Sequence, residues 1–204
     1  MNAPETKIAL PAIGAPFAGG FFIGVLEVGG TRFAQICAPK AEGLAKPATW
    51  NESWKAIEGA MSHHDGLANT EAMAAAGSEL ARWARAQTIG GFSDWAIPAI
   101  DQLELRYRIG KPTTRPNACW YRSGINISAC PPTPPYTPEF PAQSEIAIFR
   151  EGGAEALEEE WYWTSTQYAG GSDCAWVQLF GYGGQDGVLK SRSYPAVLVR
   201  SQII

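Results

Sequence analysis

The sequence predicts an α+β domain of short antiparallel strands, two main helices and long loops rich in proline and glycine. Three observations carry that expectation. Period-two apolar alternation is confined to short runs after Gly20 and after Trp161, whereas a helical period occupies only two stretches in the middle of the chain. Eight tryptophans, fifteen prolines and 22 glycines accompany a charged fraction of only 18%, so bulky anchors must be joined by many turns. With 46% hydrophobic residues in a chain of 204, there is enough apolar material for one large core.

Residues 1–20 are rich in Pro, Ala and Gly and lack periodicity; they are expected to form an extended arm of the kind that contacts a neighbouring subunit. Residues 21–204 are expected to form a single domain. Its first element, "FFIGVLEVGGTRFAQIC", reads as a hairpin turning at Gly29 and Gly30, because a two-residue turn needs the positive φ that glycine adopts cheaply. That register sets Glu27 opposite Arg32, Val25 opposite Ala34 and Ile23 opposite Ile36. The stretch Asp65–Gly91 reads as one helix. Met73, Leu80, Trp83 and Ala84 share helical spacing, Asn69 or Thr70 offers an N-cap, Glu71 lies in the first turn, Arg82 and Arg85 suit the C-terminal dipole, and Gly90 with Gly91 stops it. A second helix covers Ala99–Ile109, with Ile100, Leu103 and Tyr107 on one face, Pro98 before it and Gly110 at its end.

From Lys111 to Pro141 the periodicity stops, and eight prolines predict a long loop insertion, ordered by the interleaved Trp120, Tyr121, Tyr136 and Phe140. "AQSEIAIFREGGAEAL" offers a short helix. The last region, 161–204, offers strands near Trp161–Thr166, Ala175–Phe180 and Ala196–Arg200, separated by glycine-rich turns. On these strands Trp161 and Trp163 share one face and Tyr162 the other, while Trp176, Gln178 and Phe180 alternate with Val177 and Leu179. Trp163 and Trp176 read as core. Tyr168, Tyr182, Gln185, Arg192 and Tyr194 read as a recognition surface, because rigid rings and amides between glycine turns give contact area at low entropic cost.

The formal charge is −4 and the sixteen Lys and Arg residues are scattered, so no electrostatic footprint for nucleic acid is visible. The N-terminal stretch has neither a basic segment followed by an apolar one nor a long apolar span, and no leader, membrane helix or membrane insertion is expected. Synthesis in a cytoplasm, with retention there until assembly, follows. Cys37, Cys119, Cys130 and Cys174 fit no metal-binding spacing and read as free thiols, with a Cys119–Cys130 bridge left open by count alone. His63, His64 and Asp65 stand together, but adjacent side chains diverge on a helix or strand, which argues against a shared metal ion. Glu158–Glu160 reads as a solvated run. Asp173 and Asp186 sit beside glycines where turn chemistry accounts for them better than calcium does. No nucleophile with its base, phosphate loop or cofactor motif is present, so the sequence nominates no catalytic group, metal or cofactor.

Two motifs carry a family resemblance. "GGFSDWAIPAIDQLELRYR" resembles the GG-x-x-DWRLP-x-x-x-EL signature, and "YWTSTQY" followed by "AWVQLF" resembles the YWSST…AW…F signature, of the domain-of-unknown-function 1566 family. "HHDGLANTEAMAAAGSELARWA", "RSGINISACPPTPPYTPEFPAQ" and "REGGAEALEEEWYWTSTQ" further resemble members carried among the tail genes of Mu-like phages. The resemblance implies a C-type-lectin-like fold related to formylglycine-generating enzymes. It implies a tail-tip or tail-fibre protein that binds a bacterial surface receptor, saccharide or protein, similar to the variable tropism proteins of diversity-generating retroelements. A place in the virion, contacts with other tail proteins and a homotrimer come with it. Carried onto this chain, the displayed residues are Tyr168, Ser172, Asp173, Gln178, Phe180, Tyr182, Gln185, Asp186, Leu189, Arg192 and Tyr194, framed by Trp95, Trp163 and Trp176. Ala96 and Ile97 stand where the signature favours Arg and Leu. A structural baseplate or adaptor role, and an oxidase of the formylglycine-generating type, are the alternatives.

Overall fold

A computed structural model describes residues 8–204; the first seven residues of the expected arm lie outside the described residues. The fold is mixed α+β, with four helices among the described residues and antiparallel sheets throughout. The largest sheet has the order β1 (Pro16–Phe17), β2 (Gly20–Val28), β3 (Thr31–Cys37) and β9 (Val199–Ile203), so the end of the chain closes against its beginning. The β2–β3 turn falls at Gly29 and Gly30, with φ of 58° and 79°. Glu27 faces Arg32 and Val25 faces Ala34, as the hairpin register requires.

Ile23 departs from that register. A bulge between Phe22 and Gly24 pairs Ile36 with Phe22 instead. The extra residue resets the side-chain alternation. Phe22 and Val25, three apart, thereby join one core with Ala34, Ile36 and Trp95, while Ile23 and Leu26 join a second core with Leu105 and Phe149. The bulge thus lets one strand feed two cores.

The long helix expected over 65–91 is two helices, α2 (Gly66–Ala75) and α3 (Glu79–Arg85), after a four-residue α1 (Lys40–Gly43). Asp65, not Asn69 or Thr70, caps α2 by accepting a hydrogen bond from the Ala68 amide. Gly77 then takes φ of 95°, and Ser78 starts α3 by accepting from the Ala81 amide. The Ser78 hydroxyl also donates to the Trp50 carbonyl at 2.6 Å, so the break has a tertiary partner. Local alanine-rich periodicity concealed a stop and a cap standing side by side. The second expected helix is present as α4 (Ile100–Gly110), and it is enclosed along nearly its whole length.

No helix or named strand occurs between α4 and β5 (Trp161–Gln167). The short helix expected within 142–157 is a series of turns, with Gly152 at φ of 80°. Proline supplies a carbonyl but no N–H, so a proline-rich loop has more acceptors than donors. Cations from α4 and just beyond it make up the deficit. Arg106 Nη2 donates to the Glu155 carbonyl at 2.7 Å, and its guanidinium lies 4.1 Å from the Phe149 ring centroid. Arg108 Nη2 donates to the Gly124 and Pro134 carbonyls, both at 2.9 Å. Lys111 Nζ donates to the Arg115 and Pro141 carbonyls.

The C-terminal region forms a sheet ordered β5, β6 (Cys174–Leu179) and β7 (Gln185–Leu189), of which β7 was not anticipated; a two-residue pair, β4 (Ala48–Thr49) with β8 (Ser193–Tyr194), lies apart. β5 is buried on both faces from Tyr162 to Gln167, so its alternation has no outward face. The last strand begins at Val199, because Ala196 and Leu198 hydrogen-bond with Ala45 and Gly43 instead. The DWAIP motif locks this closure. Asp94 accepts two hydrogen bonds from Arg200 at 2.7 and 2.9 Å, Trp95 is fully enclosed, and Ala96 bridges to Val199. No helix among the described residues is long and apolar enough to cross a membrane.

One enclosed cation makes a pH prediction. Lys190 Nζ donates to the Lys55 carbonyl at 2.9 Å and to Gln167 Oε1 at 2.6 Å, and burial, outweighing nearby Asp173, pulls its pKa down to about 8. Between about pH 8 and the ordinary lysine range the unfolded chain holds this proton and the folded one does not, so stability rises with pH there. Tyr107 and Tyr162, both pushed up by burial, reverse the trend once unfolded tyrosines ionise, near pH 10. Cys37 and Cys174, pushed up by burial, oppose the rise as unfolded thiols ionise, at about pH 8.5, so the test is the difference between proteins. In urea denaturation at pH 8, 9 and 9.5 the midpoint of the wild type is expected to gain on that of Lys190→Met as pH rises, and equal slopes would remove Lys190 as a contributor.

Candidate recognition surface

The residues expected to face a receptor divide into two groups. Gln178, Phe180 and Gln185 are fully buried, and they build the support of the β6–β7 turn. Gln185 Nε2 donates to Gln178 Oε1 at 2.8 Å, Gln178 Nε2 donates to the Gly183 carbonyl at 3.0 Å, and Gln185 Oε1 accepts from the Gly124 amide at 3.0 Å. Phe180 sits edge-on to Tyr107 and Tyr162, with centroids at 5.4 and 5.0 Å. Their polar and aromatic character serves packing, because β6 is covered on both sides. None of the three offers surface to a ligand.

The second group reaches solvent. Ser172, Leu189 and Arg192 are exposed, and Tyr168, Asp173, Tyr182, Asp186 and Tyr194 are half-buried. They do not form one patch. Tyr168 packs edge-on to Trp176 at 5.0 Å and lies across Gly187 on the edge strand β7. Tyr194 packs against Trp163 at 5.2 Å. Asp186, expected in a glycine turn, lies in β7 opposite Val177, and its carboxylate accepts from the Gly187 amide at 2.7 Å. Tyr182 stands at the β6–β7 turn under the Arg115 guanidinium, 5.1 Å from its centroid, and Arg115 in turn pairs with Glu159. The frame residues Trp95, Trp163 and Trp176 are all buried.

The proline-rich loop completes the β6–β7 turn. A Cβ on Gly184 would meet Trp120 at 2.9 Å and Trp161 at 3.5 Å, so both rings lie against that glycine, and Ala118 donates to the Tyr182 carbonyl at 2.8 Å. Trp120 is 39% exposed and Tyr121 64%, with ring centroids 5.2 Å apart. Further along, Ile125 is also exposed and Ile127 is 79% exposed. Exposed apolar side chains usually ride on mobile loops, but this one is tied to α4 at each step. Asp101 pairs with Arg122 and accepts from Ser128 Oγ at 2.7 Å. Asn126 Nδ2 donates to the Asp101 carbonyl and to Glu104 Oε2, both at 2.8 Å. Tyr121 and Ser123 hold φ of 53° and 50°, a conformation that non-glycine residues keep only where the surroundings impose it.

Two cavities meet at His64, and one of them borders this loop. One, of about 380 Å³, is lined by His63, His64, Asp101, Tyr121, Arg122 and Ile127 among others. The other, of about 360 Å³, has apolar walls including Leu26, Phe33, Leu67 and Ile203, and His64 lines it too. Its polar floor is already satisfied, since Gln102 Nε2 donates to Gln35 Oε1 and Ser201 Oγ at 2.8 and 3.0 Å. The adjacent histidines, expected to diverge, thus border one cavity. Burial, then the Arg122 charge, lowers the His63 pKa.

All four cysteines are free. Burial pushes the Cys37 thiol up, and burial with Asp173 does the same to Cys174. Among the described residues no group of three or more His, Cys, Asp or Glu is placed to hold a metal ion. The residues that sequence reasoning passed over as display positions are Trp120, Tyr121, Arg122, Ile125 and Ile127. Their signal was present in the run "WYRSGINI", where large apolar side chains surround a glycine turn without any helix or strand period to bury them. Neither protein-family models nor curated proteins nor solved structures contain a match to this chain.

Proposed function

We propose that this protein is a non-enzymatic receptor-binding component of a bacteriophage tail. On this reading a C-type-lectin-like version of the α+β scaffold, assembled as a homotrimer among other tail proteins of the virion, presents loops to a bacterial surface receptor. The observation that carries it is the meeting of two chain-distant loops at Gly184, where Trp120 and Trp161 lie against the glycine and Tyr182 stands at the same turn. Aromatic anchors on pre-organised loops are what receptor recognition requires, since little side-chain or backbone freedom is lost on binding. The resemblance of the segments "HHDGLANTEAMAAAGSELARWA", "RSGINISACPPTPPYTPEFPAQ" and "REGGAEALEEEWYWTSTQ" to members carried among phage tail genes supplies the biological setting. The displayed surface is accordingly the β6–β7 turn together with residues 120–127; the exposed Ser172, Leu189 and Arg192 stand at the opposite end of the hairpin, where Cys174 pairs with Leu189, and are not part of it.

The test is adsorption of fluorescently labelled protein to host cells, comparing the wild type with a Trp120→Ala, Tyr182→Ala double variant of unchanged melting temperature. Two anchors of this kind are expected to contribute about 2 kcal/mol or more, so adsorption affinity should fall roughly thirtyfold. Equal adsorption by both proteins would move the receptor face elsewhere. Absence of adsorption by either, across the host range, would favour a structural baseplate role.

A further inference from the structure

We infer that the cavity bordered by His63, His64, Tyr121 and Arg122 is a subsite for an acidic saccharide, a sugar unit bearing a carboxylate or a phosphate. The inference rests on the receptor-binding reading and gives it a ligand class.

Three features converge on that chemistry. Both hydrogen bonds of the Arg122 guanidinium leave from Nη2, to Asp101 Oδ1 and to the Ile125 carbonyl, and Nη1 has no partner. An unpartnered guanidinium N–H away from water is costly, and the guanidinium that carries it belongs to a residue of the cavity wall, so an anionic oxygen bound there gains a charge-assisted partner whose hydrogen-bonding capacity is not fully used. Two imidazoles stand beside it, able to donate to hydroxyls when neutral and to add positive charge when protonated. Tyr121, 64% exposed and held by its φ of 53°, offers a rigid ring for the apolar face of a sugar, with Ile125 and Ile127 at the rim. A volume of about 380 Å³ suits one or two sugar rings.

Asp101 also lines the proposed subsite, but its two oxygens are taken by Arg122 and Ser128 Oγ; in the second cavity Arg200 is held by both oxygens of Asp94, Asp65 adds a further carboxylate, and the amide and hydroxyl groups are spent on one another. The charges facing His63 are Arg122 from the loop, Asp101 from the first turn of α4, and neighbouring His64. With the His63 pKa lowered in the free protein, an anionic ligand draws a proton onto it, so binding tightens as pH falls. A uronate carboxylate stays ionised over the range in question, which keeps the readout on the protein.

The experiment is an NMR titration of the isotopically labelled full chain with methyl glucuronide, glucose 6-phosphate, methyl glucoside and inorganic phosphate. The acidic sugars should shift the resonances of His63, His64, Tyr121 and Arg122 with millimolar affinity, and methyl glucoside should bind at least tenfold more weakly. Methyl glucuronide should bind several-fold more tightly at pH 5.5 than at pH 8, and a His63→Gln, His64→Gln variant should lose that pH dependence and most of the affinity. Tyr121→Ala, which leaves the Asp101 to Arg122 pair in place, should weaken both acidic sugars alike. Binding of inorganic phosphate as tight as glucose 6-phosphate would reduce the site to simple anion attraction and overturn the saccharide assignment; equal affinity for the neutral glucoside would overturn the acidic one. Failure of the acidic sugars with cell adsorption intact sinks this subsite alone, whereas sugar binding without adsorption to any host sinks the receptor reading and leaves the subsite standing.

Discussion

Phe180→Ala is expected to lower the free energy of unfolding by about 3–5 kcal/mol, the cost of removing a buried ring and leaving its cavity. Phe180 is fully enclosed and contacts Tyr107 and Tyr162 edge-on; these rings belong to α4 and β5, so collapse of the gap would have to move an enclosed helix or an enclosed strand. By contrast Ser172→Ala and Arg192→Ala, both at exposed positions, should stay within about 0.5 kcal/mol of the wild type. Urea denaturation of the three variants separates the buried half of the tail from its exposed half. A loss under 1 kcal/mol for Phe180→Ala would show that the residue is not part of the core.

Arg108→Leu is expected to cost a similar amount, about 3–5 kcal/mol, for an electrostatic reason. Glu104 is fully enclosed and its Oε1 accepts from Arg108 Nε at 2.7 Å. Burial raises the Glu104 pKa, and Arg108 is the chief influence holding it down. Removing the guanidinium leaves a buried carboxylate with only neutral neighbours, Asn126 Nδ2 at 2.8 Å and the Tyr136 hydroxyl. It also frees the Gly124 and Pro134 carbonyls, so the loop that carries Tyr121 loosens. The sign with pH follows from the raised pKa. Where the folded form holds a proton that the unfolded form has released, stability falls as pH rises. The deficit of Arg108→Leu should therefore be smaller near pH 4.5 than at pH 7, and Glu104→Gln introduced into the same background should restore part of it. A deficit independent of pH would assign the loss to packing over Tyr136 and Phe140 instead of to charge.

The parts of the fold that were legible in the sequence are those written in short-range patterns. The Gly29–Gly30 turn, the Glu27 to Arg32 register and α4 depend on spacings of two to four residues and on the φ range of glycine. The misreadings arose where a distant partner intervened. Ile23 leaves its register because two cores draw on β2. The helix expected across Gly77 breaks because the Ser78 hydroxyl serves both the Ala81 amide and the Trp50 carbonyl. Gln178 and Gln185 looked like display residues because amides on a strand usually face water, yet here they satisfy each other and the backbone of two turns. In the same way Trp120 and Tyr121, expected to pack on something, do so on one side and present the other.

The sequence by itself determined an α+β chain with an N-terminal hairpin, a central amphipathic helix and glycine-turned C-terminal strands, since local φ preferences and apolar periodicity encode these directly. Only the tertiary structure decided which aromatics are core and which are surface, and which distant residues meet. His63 and Arg122 come together because Asp101 at the start of α4 accepts a hydrogen bond from Arg122 while its backbone amide donates to the His63 carbonyl. Burial and hydrogen-bond satisfaction are properties of the whole packed chain, and no periodicity within a segment reports them.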